Sequence, residues 1–154
     1  SVGIAPVIGY NYGAKNDGEL KNIFKKSMIL MGIFGVAMTI FAESFAPLLA
    51  NVFSAGNQYM YELTCRAFLF SGFVFLMCGF NIFGSAFFTA LGNGPISALI
   101  SCLRTLGFQT ACVLLLPIFL DIDGIWLAVV VSDICTLIVT WSFLLAKRKK
   151  YGYM

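Results

Sequence analysis

Four stretches of this chain are apolar for longer than a compact soluble fold can use. Residues 28–42 carry no charge, and with residues 23–27 they reach the length of about 20 residues that a bilayer crossing needs. Residues 67–91 hold only Asn81 and small hydroxyls as polar positions. Residues 96–120 hold Arg104 and Gln109, and residues 125–146 hold Asp133. The chain is 60% hydrophobic and 11% charged, where a soluble domain carries about 25% charged residues. So few charges cannot cover the apolar surface left after a core is buried. The composition therefore predicts an all-α integral membrane protein, because a helix satisfies its own backbone hydrogen bonds inside lipid.

The joints divide the chain. We expect the end of one helix at 1–14, spans at about 23–43, 61–91, 95–120 and 124–146, and a basic tail at 147–154. "LGNGP" ends one helix with glycines and opens the next with Pro95. "DIDG" at 121–124 reads as a tight polar turn and lacks the further oxygen ligands of a calcium loop. Phe45, Leu48, Leu49, Val52 and Phe53 recur at helical spacing and suggest a short interfacial helix at about 44–53. Lys15, Lys21, Lys25 and Lys26 precede the first complete span, and Lys147, Arg148, Lys149 and Lys150 follow the last. The loops between hold Glu43, Glu62, Asp121 and Asp123 without lysine, and Arg66 lies one turn from Glu62, with which it can pair. The positive-inside rule places the Lys15–Lys26 region and the tail in the cytoplasm of a multi-pass plasma (inner) membrane protein. Trp126 and Trp141 fit the aromatic belts at the two ends of the last span.

Within the spans, polarity is striped. Gly72, Gly79 and Ala86 recur every seven residues, with Ala90 one turn on, and allow close helix approach. The opposite face carries Cys78, Asn81, Ser85 and Thr89. Ser97, Ser101, Arg104, Thr105, Gln109 and Cys112 form a second polar line, and Asp133, Thr136 and Thr140 a third. These faces should meet one another or water, since lipid satisfies none of them. They line a hydrated cavity or serve as interhelical hydrogen-bonding contacts. Arg104 and Asp133 each lie about 13 Å deep. An ionised group near the bilayer centre costs at least about 2.5–3.5 kcal/mol on the insertion scale. Counted from the turn, the two are staggered by about 12 Å, so Arg104 is expected to snorkel toward the cytoplasm or to meet another helix. Asp133, withdrawn from water, is the better candidate for a group that takes up and releases an ion.

Other chemistry finds little footing. There is no histidine, no phosphate-binding glycine loop and no metal-ligand spacing, so no enzyme, metal site or cofactor is expected. Cys65, Cys78, Cys102, Cys112 and Cys135 sit in apolar surroundings as packing residues. The basic tail beside a membrane span reads as an anchor facing anionic lipid and not as a nucleic-acid site.

Three blocks carry a family resemblance. "PVIGYNYGAKN" at 6–16 resembles the close of the eighth helix of the multidrug and toxic compound extrusion (MATE) transporters. "SAFFTALGNG" at 85–94 is similar to the end of their tenth helix. Arg104, Pro117 and "DGIWLAVVVSD" at 123–133 resemble their last two helices. The resemblance implies a C-terminal part of a twelve-helix, two-lobe transporter, with the N-terminal lobe of the same protein as its missing partner. It implies exchange of cationic or aromatic compounds for H⁺ or Na⁺. Some branches of the family carry an acidic residue in the tenth helix that contributes to a cation site; only Asn81 stands in that region here, so that ion site is not carried over. Tyr10, Asn11, Asn81, Ser85, Arg104 and Gln109 become candidates for the substrate pathway, and Asp133 for ion coupling. The alternatives are a lipid-linked oligosaccharide flippase of the related superfamily, disfavoured by the single deep basic residue, and a non-transporting membrane scaffold.

Overall fold

A computed structural model describes residues 3–54 and 56–153, apart from the side chain of Lys150. Ser1 and Met154, which begin and end the first and last expected segments, lie outside the described residues, as does the Lys150 side chain of the basic tail. Among the described residues the regular structure is entirely helical: α1 (Ala5–Gly13), α2 (Asp17–Ser54), α3 (Gln58–Ala90), α4 (Gly94–Cys102), a π-helical segment (Leu103–Gln109) and α5 (Thr110–Tyr151).

The joints follow from local chemistry. Lys15 adopts a left-handed φ of 53° after α1. Asn16 then accepts a hydrogen bond from the Glu19 backbone N–H at 3.3 Å, which caps α2, and Asp17 and Glu19 complement the positive end of its dipole. The Asn57 side chain accepts from the Tyr59 N–H at 3.0 Å and starts α3. At the other end of α3, Gly92 takes a φ of 75°, and the Asn93 N–H reaches back to the Phe88 carbonyl at 2.9 Å. That pattern is a Schellman stop, as the "LGNGP" punctuation implies.

The basic-tail end of α5 packs among α1, α2 and α3 to form the core, in which Phe24, Phe83, Phe87, Leu144 and Tyr153 are buried. Along the α2–α3 seam, a β-carbon at Gly35 would press on the Leu76 backbone at 3.2 Å, and one at Gly72 on the Thr39 methyl at 3.1 Å. Gly79 faces Met31. The predicted small-residue stripe thus belongs to this seam at Gly72 and Gly79. Ile33, Phe34, Ile40 and Phe41 are exposed on the other side of α2, as lipid-facing positions require.

Three helical stretches are long and apolar enough to cross a membrane: Asp17–Ser54, Gln58–Ala90 and Gly94–Lys149. The last has 56 residues and would be about 84 Å long if straight. It is two arms of a hairpin. Asp121 leaves helical geometry with φ 49° and ψ −131°, and contacts between Arg104 and Asp133 and between Asn93 and Tyr151 close the arms on each other.

Two expectations are corrected. The segment at 44–53 is not a separate interfacial helix but the end of α2, which runs unbroken through Pro47 to Ser54. No glycine or asparagine separates it from the preceding span, so nothing ends the helix before Ser54. Arg66 pairs not with Glu62 but with Asp123 across the hairpin turn, at 3.4 Å, while Glu62 accepts from Gln58.

Candidate functional site

The polar face of α3 turns toward α4, the π-helical segment and the returning arm of α5. Ser85 Oγ lies 2.9 Å from both Ser97 Oγ and Ser101 Oγ, and Thr89 donates to Ser97 Oγ at 2.7 Å. One turn before Ser85, Asn81 is 1% exposed. Its Nδ2 donates to the Asp133 carbonyl at 3.0 Å and to Asp133 Oδ1 at 3.3 Å. The hydroxyls therefore serve helix packing here, as polar groups inside lipid do when they find one another.

Arg104 breaks the expected geometry. Its Nε donates to Asp133 Oδ1 at 3.0 Å, and its Nη2 donates to Cys78 Sγ at 3.1 Å. Of the two expectations for Arg104, meeting another helix holds, through Cys78 on α3, whereas the snorkelling and the 12 Å stagger that set Asp133 out of reach are corrected. The stagger counted the whole of 121–124 as turn, but the chain pivots at Asp121 alone and Gly124 is already level with Leu116. A β-carbon at Gly124 would stand 2.5 Å from the Leu116 carbonyl oxygen. The hairpin is thus centred near Leu120, which leaves the two charges about three residues, or roughly 4.5 Å, out of step. An arginine side chain spans that distance.

The π-helical segment adds a local cause. It places i→i+5 contacts around Arg104, including the Thr110 hydroxyl on the Thr105 carbonyl at 3.1 Å. Such wide turns are uncommon and recur where a helix aims a side chain at a functional partner. The Asp133 side chain is 2% exposed while that of Arg104 is 25% exposed. The carboxylate is thus sealed behind a guanidinium that still reaches the surface of the bundle. Asn81 Oδ1, Asp133 Oδ2 and Thr140 Oγ1 are buried without a hydrogen-bond partner among the described residues.

A groove of about 320 Å³ opens beside this pair, lined by Asn81, Ser85, Ser101, Arg104 and Thr105 among others. Of the candidate residues, Asn81, Ser85 and Arg104 meet there, with Asp133 directly behind. Gln109, at the far end of the π-helical segment, is not among the lining residues. Tyr10 is 77% exposed on α1, and the Asn11 side chain bonds back to the Val7 carbonyl. Neither reaches the groove. Ser101 and Thr105 were read only as members of a polar stripe, and Cys78 as a stripe member and a packing residue. Their i, i+3, i+4 register with Asn81, Ser85 and Arg104 was the available signal of a shared site.

A sequence model of the MatE family matches residues 1–113 of the chain. Nothing among curated proteins matches it. Among solved structures, the MATE transporter VcmN of Vibrio cholerae, in its bent form, matches 98% of this chain with a TM-score of 0.83. The sequence identity is 20%, so the likeness speaks for the fold, and this chain spans 34% of that protein's length. With the family model matching most of its length and its helices arranged as in a MATE transporter, the chain belongs to the MatE family.

Proposed function

We propose that this chain is the C-terminal part of a secondary transporter that expels cationic or aromatic compounds across the plasma membrane in exchange for H⁺ or Na⁺. The groove at Asn81, Ser85 and Arg104 forms the wall of its substrate cavity on this side. The observation that carries the reading is the ion pair deep within the apolar stretches, beside an open, largely apolar groove that Arg104 itself lines, in a member of the MatE family. A buried charge pair is a weak device for stability, since apolar residues of similar volume often serve as well. Inside a membrane it marks a functional path by default.

Asp133 is the coupling group in this reading. Arg104 and Asn81 hold Oδ1, while the buried Oδ2 has no donor among the described residues and is the oxygen left to take an ion that displaces Arg104. Neutralising the carboxylate weakens its attraction for Arg104 and loosens α5 from the π-helical segment. Moving one charge against 100 mV costs about 2.3 kcal/mol, which a single entering cation offsets. The test is dye efflux from vesicles holding the full-length protein, with imposed proton or sodium gradients. Efflux driven by either gradient supports the reading, and its absence in active, correctly inserted protein refutes it.

A further inference from the structure

The groove beside α3 offers donors and one positive edge. Arginine carries five N–H donors, and two hydrogen bonds, from Nε to Asp133 and from Nη2 to Cys78, engage this one. The rest belong to a side chain that lines the groove together with the Ser85, Ser101 and Thr105 hydroxyls. Among the described residues no carboxylate lines it. Asp133 sits behind the guanidinium, where it compensates the charge of the empty site but presents no oxygen on the lining. A substrate ammonium placed here would meet a like charge with no exposed acid to hold it.

We propose that this groove is a subsite for a carboxylate, so that the transporter takes zwitterionic aromatic substrates and holds their acidic end on Arg104. The proposal rests on the transport reading above and names one substrate class within it. The planar guanidinium fork matches a carboxylate in a way that a hydroxyl or a lysine does not. Ser101, whose hydroxyl bonds Ser85, and Thr105 line the groove beside the fork. Ile82 and Ile100 supply the apolar wall. A volume of about 320 Å³ sits at the small end of ligand pockets, suited to one substituted ring and not to a whole drug-sized molecule.

Rhodamine 110 and its methyl ester rhodamine 123 differ at this one group, the first carrying a free carboxylate. Their dissociation constants are measured by fluorescence polarisation on the full-length protein in phosphatidylcholine nanodiscs. The acid is expected to bind about tenfold more tightly than the ester. Arg104→Gln with Asp133→Asn removes both charges together and should bring that ratio to about one. Ser101→Ala with Thr105→Val, which leaves the ion pair intact, should narrow it about threefold and decides the matter if the first variant fails to fold. A wild-type ratio of one or less, or a ratio that neither variant changes, overturns the proposal while the transport reading stands. Failure of both dyes to bind overturns the two together. Collapse of the wild-type ratio when phosphatidylglycerol replaces part of the lipid assigns the groove to lipid phosphate and overturns the substrate carboxylate.

Discussion

Arg104 and Asp133 cannot be removed one at a time without leaving a charge in the bundle. Arg104→Leu strands a carboxylate whose side chain is 2% exposed, and breaking a buried pair in this way costs about 3–5 kcal/mol. Arg104→Leu combined with Asp133→Leu should recover most of that loss, because no ion is left to desolvate. Thermal unfolding of the full-length protein in detergent, run as a double-mutant cycle, checks both outcomes. Asp133→Asn strands the more exposed partner and should be milder in stability. Its expected effect is on function: insertion and expression stay normal while ion-driven efflux falls about tenfold or more. Normal coupled efflux would reduce Asp133 to a packing role. The two charges were legible in the sequence as deep, expensive positions. Their partnership was not, because it depends on where a four-residue polar turn pivots, and residue counting places that only to within a turn. Asn81 was legible as a polar residue facing the interior, but the carbonyl and carboxylate it holds on α5 could not be read from its own helix.

At the level of elements, the hairpin between the two arms rests on close backbone approach at Gly124. A β-carbon there would meet the Leu116 carbonyl oxygen at 2.5 Å and Pro117 Cα at 2.9 Å, and a backbone cannot rotate aside. Gly124→Ala should therefore destabilise by about 1–3 kcal/mol. Gly107→Ala, in the π-helical segment, would meet only the flexible end of Leu103 at an ordinary 3.6 Å and serves as the control. Asp121 gives the converse case. Its φ of 49° and ψ of −131° suit the glycine position of a type II′ turn, and a side chain held there costs about 1–3 kcal/mol. Asp121→Gly should raise the melting temperature, since Asp121 makes no cap or ion pair among the described residues that outweighs this relief. The long helices and most of their stops could be read in advance, because apolar length and glycine punctuation are properties of the sequence itself. The start of α2 at Asp17 was missed, although Asn16 and Glu19 carry the N-x-x-E spacing of a capping signature. The π-helical segment had no such signal, because nothing in the LRTLGFQ of residues 103–109 distinguishes a wide turn from an α-helical one.

On the scale of the whole molecule, the two ends of the array meet. Tyr151 stacks obliquely on Tyr12 with ring centres 5.5 Å apart and accepts a hydrogen bond from Asn93 at 2.8 Å. Gly152 then turns left-handed against Asp17, where a β-carbon would stand 2.9 Å from the carboxyl carbon. Tyr153 inserts between Phe24 and Phe87 and donates to the Leu144 carbonyl at 2.7 Å. The end of α1 and the C-terminal tail therefore lie at one face, which an even number of crossings between them requires. Single cysteines placed at Lys15 and Lys149 in a cysteine-free background should both label from the same side of sealed vesicles, and labelling from opposite sides would break the four-span topology. The tail also makes this closure sensitive to alkali. Burial pushes the Tyr153 phenol above its ordinary value of about 10, because the neutral form alone fits among the rings and donates to Leu144. A group whose value is raised on folding contributes its stability fully below the unfolded value and loses it as pH climbs through the folded one. Stability from the tail should thus be constant up to about pH 10 and decline above it. Tyr153→Phe should cost about 0.5–1.5 kcal/mol at neutral pH through the lost hydrogen bond. It should also flatten the alkaline decline, since a phenylalanine has no proton to lose. Melting curves of the two proteins at pH 8 and pH 11 separate these effects, because lysine titration acts on both alike. If the wild type and the variant fell in parallel, the tail would not be what ties the ends of the bundle together.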